Sequence, residues 1–268
     1  MLELKGLEKT FLKGTVNERR ALCGIDLTLE NGEFVTVIGS NGAGKSTLFN
    51  AVAGTFFCDR GHIILDGKDI TFLRDYKRAR KISRIFQDPL RGTAPDLTVA
   101  ENLALAYARG KKHLFEFALS HKNTEFFRQR LASLHLGLED RMDTRMRLLS
   151  GGQRQAVTLL MAVINTPRLL LLDEHTAALD PVTAERILAM TESVVRKNEI
   201  TTMMITHNIS SALALGTRTI MMEDGRIVLD LKGQERAKLG VDGLLKRYRE
   251  KSGHPLENDR MLFSAKAN

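Results

Sequence analysis

The sequence predicts an α/β fold: a mostly parallel sheet covered by helices, with an N-terminal β-rich segment and an inserted α-helical subdomain. Three observations carry this. Apolar strand-like runs alternate with helical patterns through the C-terminal half. A glycine-rich run, Gly39 to Thr47, follows one strand and opens a helix. The middle of the chain, from about Asp96 to Ile164, is helical in pattern without strands.

Taken in order, LELKGLEKTFL and ALCGIDLTLENGEFVTVIG alternate like short strands, with Asn31-Gly32 expected as a tight hairpin turn. KSTLFNAVAGTF is helical. HIILDGKDI forms a hairpin-like piece turning at Asp66-Gly67. ENLALAYA, EFFRQRLASLHLG and QRQAVTLLMAVI supply the helices of the insert. RLLLLDE then reads as a strand covered on both faces, since its leucines do not alternate with polar residues. A helix from Pro181 to Lys197, the strand ITTMMITH, a helix from Ser210 to Leu215, and the strands TRTIMME and RIVLDL complete the alternation. KLGVDGLLKRYREK is a basic helix, expected to be solvated, with a partner or membrane face as the alternative. The stretch after Leu231 falls short of the ~50 residues of a domain, so no large C-terminal regulatory domain is expected.

Composition narrows the function. Forty Lys and Arg against 32 Asp and Glu leave +8 over 268 residues, with 43% hydrophobic and 27% charged residues. That is ordinary for a globular chain and excludes collagenous, low-complexity and wholly disordered classes. No apolar run exceeds six residues, where a spanning helix needs ~20. MLELKGLEKTF lacks the apolar stretch of a signal peptide. Cys23 and Cys58 lie far apart without metal-ligand spacing, which fits two small apolar residues in a reduced cytoplasm. The positive charge suits nucleic acid, an anionic membrane surface or nucleotide phosphates. Without an aromatic-spaced basic stripe or zinc-finger spacing, no nucleic-acid partner is expected.

The chemistry concentrates in three runs. In Gly39-Ser40-Asn41-Gly42-Ala43-Gly44-Lys45-Ser46-Thr47, glycines let backbone N–H groups converge on an anion at a helix N-terminus. Lys45 supplies charge for the β- and γ-phosphates, and the Ser46 hydroxyl is placed for Mg²⁺. In the second run Asp173 and Glu174 end a buried strand, where ligands of parallel sheets sit. Asp173 suits Mg²⁺, and Glu174 suits polarising an attacking water. In the third, Ser150, Gly151, Gly152 and Gln153 open a helix with capping-box spacing. Read alone, that run is also satisfied by a capped helix with no ligand.

LSGGQRQ, GSNGAGKST, Gln87 in RIFQDP, LLLLDE, Ala178-Leu179-Asp180 and His207 in MITHN together resemble the ATP-binding-cassette (ABC) ATPases, in order and spacing, over about residues 1–232. The resemblance implies a P-loop NTPase, RecA-like core with an N-terminal antiparallel β subdomain and a helical subdomain at about 90–165, followed by a basic helix and tail at 233–268. It implies ATP and Mg²⁺. Phe11 corresponds to the aromatic that stacks on adenine, where Tyr is commoner. Gln87 would contact Mg²⁺ and report to the partner, and His207 would touch the γ-phosphate in cis. Ser150 and Gly152, with Gly151 and Gln153 in the same run, would meet the nucleotide held by a second copy, and Asp180 would lie at that dimer interface. Core packing for Phe11, a loop amide for Gln87 and a satisfied core histidine for His207 are the alternatives.

Most of that family carries Pro after the glutamate, whereas this chain has His175. An exposed loop residue is expected there, with an effect on Glu174 as the alternative. DEHTAALDP and FQDPLRGTAPDLT further resemble bacterial importer ATPases paired with permeases of the branched-chain amino-acid and ribose type. Repair members split the cassette with a long coiled coil, translation members carry two cassettes, and many exporters fuse spanning helices. None of these features is present in the sequence. The importer reading therefore leads over a soluble repair or translation ATPase and over an exporter subunit. The partners implied are membrane permease subunits, a second copy of the chain and an extracytoplasmic substrate-binding protein, with the chain peripheral on the cytoplasmic face of the plasma membrane.

Overall fold

A computed structural model describes residues 1–109 and 119–252. The part of the expected helical insert at 110–118 and the tail from 253 lie outside the described residues. The chain divides into two compact units, 1–78 with 199 onward, and 79–198.

Along the chain, the first unit begins with β1 (Leu2–Phe11), β2 (Arg19–Leu29), β3 (Phe34–Gly39), α1 (Lys45–Ala53), β4 (Arg60–Leu65), β5 (Lys68–Asp69) and α2 (Asp75–Arg78). The second unit holds β6 (Ile82–Ile85), α3 (Val99–Ala108), α4 (His121–Ala132), α5 (Gly151–Val163), β7 (Leu169–Asp173) and α6 (Pro181–Lys197). The chain then returns to the first unit with β8 (Thr201–Ile205), α7 (Ile209–Ala214), β9 (Arg218–Glu223), β10 (Arg226–Lys232), α8 (Gly233–Ala237) and α9 (Val241–Ser252).

In the first unit, β2, β1, β4 and β5 form an antiparallel sheet in that order. Alternation is plain on β2, where Ile25, Leu27 and Leu29 are buried between exposed neighbours, as a one-sided sheet requires. By contrast β3 is buried at every position and lies parallel to both β8 and β9, while β10 returns antiparallel to β9. The expected hairpin at Asn31-Gly32 is therefore corrected. β2 pairs with β1, and β3 pairs with β8 and β9, so this turn carries the chain from one sheet to the other. The physical sign was the change from alternating to continuous burial across the turn, since hairpin partners share one patterning. Gly32 adopts φ 73°, and its N–H donates to Thr201 Oγ1 at 3.0 Å. Asp66-Gly67 does close a hairpin. Leu65 faces Lys68, and both turn residues take positive φ, the geometry that joins two-residue hairpins.

Ile38, Ile209, Met221, Leu231, Leu244 and Tyr248 share one core. α9 thus buries Leu244 and Tyr248, one helical turn apart, and exposes Lys246, Arg249 and Lys251. It is solvated on one face only. The Tyr248 hydroxyl donates to the buried Glu223 carboxylate, and burial together with that bond raises the phenol above its usual range.

Arg78 staples the first unit. It is 2% exposed, and its guanidinium donates to the carbonyls of Leu73, Ala51, Val52 and Thr71 at 2.8, 2.8, 2.9 and 2.7 Å. Ala51 and Val52 belong to the last turn of α1, where carbonyls run short of helical partners, and Ala51 O accepts from the Gly54 N–H at 3.2 Å as well. A Cβ on Gly54 would stand 2.8 Å from Arg78 Nε, so the glycine that ends α1 also makes room for the arginine.

In the second unit β6 lies parallel to β7, with Ile82 facing Leu169 and Ile85 facing Leu172. All four leucines of β7 are fully buried, as their unbroken run predicts. Val99, Leu103, Phe127, Leu131, Leu160 and Ile187 bring α3, α4, α5 and α6 into one core. Thr98 with Glu101 and Ser150 with Gln153 form reciprocal capping boxes at the starts of α3 and α5. No helix among the described residues is long and apolar enough to cross a membrane.

Replacing Arg78 by Met should destabilise the chain by about 3 kcal/mol, because buried carbonyls lose charged donors while the packed stem is kept. Equilibrium urea unfolding measures this, and an unchanged midpoint would show that the guanidinium carries no such load.

Candidate functional site

The residues singled out in the sequence fall on both units, and each set is built locally. In the first, β3 ends at Gly39 and α1 begins at Lys45. The loop between takes φ 150°, 86° and 99° at Gly39, Gly42 and Gly44. A Cβ at Gly39 would meet Met222 O at 2.1 Å, and one at Gly44 would meet Ala21 O at 2.6 Å. Those are main-chain atoms, so only glycine fits. The Gly225 N–H, in the turn after β9, donates to Ala43 O at 3.1 Å and holds the loop from that side. Gly44 caps α1 without a side-chain bond, so the first-turn N–H groups remain suited to an anion. Lys45 is buried, with Nζ donating to Gly39 O at 2.7 Å and Ser40 O at 2.8 Å. The ammonium is thereby held over the loop. Asn41 and Ser46 are exposed, and Ser40 and Thr47 half-buried.

His207 belongs to the same edge. β8 is parallel to β3 with Val37 opposite Ile205, so Gly39 and His207 each lie two residues beyond that pair. Phe11 ends β1 opposite Arg19 and is 36% exposed, packed edge-on against Phe56 at 5.3 Å. It is not a core residue. Arg19 Nη2 donates to Gly42 O at 2.8 Å, which ties the antiparallel sheet to the glycine loop.

In the second unit Gln87 and Glu174 leave parallel neighbours from the same end, each two residues beyond the pair Ile85–Leu172. Gln87 is exposed. Asp173 ends β7 and accepts from Arg84 Nη2 at 2.6 Å. Glu174 takes φ 48°, a left-handed conformation that costs a non-glycine residue and clusters at functional sites. Its carbonyl accepts from Ala177 N–H at 3.0 Å, closing the turn. Ser150 Oγ accepts from Gln153 N–H, and Gln153 Oε1 accepts from Ser150 N–H, both at 3.3 Å. A Cβ on Gly152 would stand 2.4 Å from Thr183 Cγ2, and one on Gly151 would stand 3.2 Å from Leu179 Cδ2. The glycines therefore let the start of α5 press against the start of α6. Asp180 caps α6, accepting from Thr183 N–H at 3.0 Å, and its bonds to Thr183 hold the carboxyl below its usual range.

The expectation of an exposed His175 is overturned. It is 3% exposed, with Nε2 3.2 Å from Thr191 Oγ1. The Thr191 hydroxyl donates to Ile187 O at 2.7 Å, so the imidazole is the donor to Thr191. The turn after Glu174 sends residue 175 toward the buried face of α6, which carries Ile187, Thr191 and Val195. Burial pushes the imidazole pKa down to about 4.

Arg19 and Gly225 also shape the first unit's set and Arg84 the second unit's, and the sequence motifs do not include them. Arg84 had a signal, because a lone arginine inside an apolar strand implies a buried partner. Arg19 and Gly225 had none, since their contacts span distant parts of the chain.

A family model described as ABC transporter matches residues 22–177. The chain belongs to the ABC transporter ATPase family. It is accordingly an ATPase, the ATP-binding subunit of a transporter, with the family's P-loop α/β cassette fold. It is 43% identical over 248 residues to the tyrosine transport ATP-binding protein of Clostridioides difficile, covering 92% of this chain and 98% of that protein. It is 37% identical over 212 residues to an aliphatic sulfonates import ATP-binding protein of Cupriavidus pinatubonensis, covering 79% of this chain and 64% of that one. Among solved structures, a dimeric ATP-binding cassette in a post-hydrolysis state, bound to ADP and phosphate, aligns with TM-score 0.72 at 28% identity. That alignment covers 87% of this ABC chain and 98% of the other. The Asp173 carboxylate and the Ser46 hydroxyl are hard oxygen donors, which suit Mg²⁺.

His175 makes stability depend on pH with a definite sign. Its folded pKa of about 4 lies below the ~6.5 of an unfolded histidine. Its contribution is therefore complete above ~6.5 and lost as pH falls toward about 4. In urea unfolding between those pH values, His175→Gln should lose stability less steeply than the wild type. Equal steepness would remove His175 from the acid response.

Proposed function

We propose that the chain energises a membrane importer for a small solute of the amino-acid class. It would sit on the cytoplasmic face of the membrane beneath permeases of the branched-chain amino-acid and ribose type, in a system fed by an extracytoplasmic substrate-binding protein. The observation that carries this is the likeness to a tyrosine transport protein along 98% of its length. DEHTAALDP and FQDPLRGTAPDLT support the permease type. Residues 1–232 form the ATPase domain in this reading, with the helical subdomain at about 90–165, and residues 233–268 form a C-terminal helix and tail.

The roles follow from chemistry. Phe11 stacks on adenine. Inward N–H groups from Gly39 to Thr47 bind the β- and γ-phosphates, and Lys45 adds positive charge where its bonds to Gly39 and Ser40 hold it. Mg²⁺, held by Ser46 and Asp173 with Gln87 in contact, would neutralise charge on the phosphates. Glu174 orients and polarises the water that attacks the γ-phosphorus, and its carboxylate takes the water's proton as the bond to ADP breaks. His207 donates to the γ-phosphate.

Two copies pair head to tail, an isologous two-fold arrangement. Ser150 and Gly152, with Gly151 and Gln153 beside them, contact the γ-phosphate held by the other copy, and Asp180 lies at the seam. The similarity to a dimeric cassette supports this. Closure reaches the permease through DPLRGTAPD after Gln87. Loss of the γ-phosphate removes the contacts that favour the closed pair.

Glu174→Gln should keep ATP affinity and lower hydrolysis by at least about a hundredfold. It should also form a dimer with ATP and Mg²⁺ but not with ADP, and added Ser150→Arg should abolish that dimer while ATP still binds. Light scattering with calorimetry reads both effects. Wild-type turnover in Glu174→Gln, or a dimer indifferent to nucleotide, would sink the clamp.

The importer reading is tested by purifying the chain from its native membrane and identifying what accompanies it. A polytopic permease together with a substrate-binding protein is expected. A soluble complex containing nucleic acid would overturn it.

A further inference from the structure

Arg84 lies within β6, three residues before Gln87, between the buried Ser83 and Ile85. Its Nη2 donates to Asp173 Oδ2 at 2.6 Å, and each side chain is only 13% exposed. Its guanidinium carbon stands 4.7 Å from the centre of the Phe86 ring. Arg91, in the turn after Gln87, stands 5.8 Å from the same ring. The carboxylate assigned to the metal is thus tied to the strand that leads to Gln87 and, through one aromatic ring, to the turn beyond it.

A carboxylate so little exposed is costly without a counter-charge. Arg84 supplies one permanently, because a guanidinium does not deprotonate in proteins. A divalent cation arriving alone would meet a pair already neutralised and would compete with Arg84 for Oδ2. Nucleotide phosphates change that balance, since they bring negative charge with the cation.

We propose that Arg84 is a positioning residue that holds Asp173 in the cation's stead, so that the divalent ion loads with nucleotide rather than before it. This rests on the reading of Asp173 as a metal ligand. Arg84 touches the ligand, and its guanidinium lies over the Phe86 ring at 4.7 Å from the ring centre.

The test is Mn²⁺ titration of the purified full chain, followed by electron paramagnetic resonance without nucleotide, alongside ATP affinity measured by calorimetry with Mg²⁺ and with EDTA. Arg84→Met should bind Mn²⁺ alone at least about tenfold more tightly than the wild type, and should melt at lower temperature in EDTA. Arg84→Lys, which keeps the positive charge that neutralises Asp173, should stay near wild type in Mn²⁺ affinity. If Arg84→Met does not fold, Arg84→Gln serves the same purpose, because it removes the charge and keeps a flat polar group. Equal Mn²⁺ affinity in the wild type and the folded neutral variant overturns the proposal. Asp173→Asn separates the two readings. If it leaves the Mg²⁺ dependence of ATP affinity unchanged, the metal assignment fails and the proposal with it. If it removes that dependence while the neutral variant behaves as wild type, only the role of Arg84 fails.

Discussion

Between Gly39 and Gly44 the main chain runs so close to the carbonyls of Met222 and Ala21 that a single methyl group would displace it. That closeness organises the first unit. Ala21 belongs to the antiparallel sheet, Met222 to the parallel set, and Gly225 to the turn that donates to the loop from a third side. Glu223, two residues before Gly225, accepts from Tyr248 of the C-terminal helix. The phosphate loop is therefore clamped by elements far apart in sequence. A binding surface made of backbone N–H groups, as proposed for this loop, would have no side chain to correct its aim, and the clamp would supply the rigidity instead.

How much of this could be read from the sequence depends on the range of the interaction. Periodicity and breakers are local, so α1, the helix from Pro181 to Lys197, the leucine strand and the Asp66-Gly67 hairpin are found where their patterns place them. The capping boxes are legible for the same reason. Asn31-Gly32 misleads because a turn dipeptide states that the chain reverses, not which strands pair afterwards. His175 misleads because a bend after a strand suggests solvent, whereas the left-handed Glu174 turns the next residue inward toward Thr191. The arginines are hardest. Arg78 and Arg19 act through partners that no local pattern reveals, and the strand around Arg84 signals a buried partner without saying which.

The second unit arranges its parts by different means. Small residues bring two helix starts together, with Gly151 and Gly152 meeting Leu179 and Thr183. Ser150 and Asp180, the caps of those helices, stand on neighbouring starts as a result. Each side chain already has a structural task as a cap. Its geometry is therefore set by helix formation itself, before any ligand is considered.

At Glu174 the backbone holds a side-chain-bearing residue in a region where glycine would rest at lower energy, by about 1 kcal/mol. In the role proposed for Glu174, thermodynamic improvement and chemical competence would pull this position in opposite directions. A screen that rewards heat resistance alone would then favour glycine here and, under that proposed role, collect well-folded, inert chains. Under the proposed role, position 174 is one where selection on folding and selection on turnover can be told apart within a single codon.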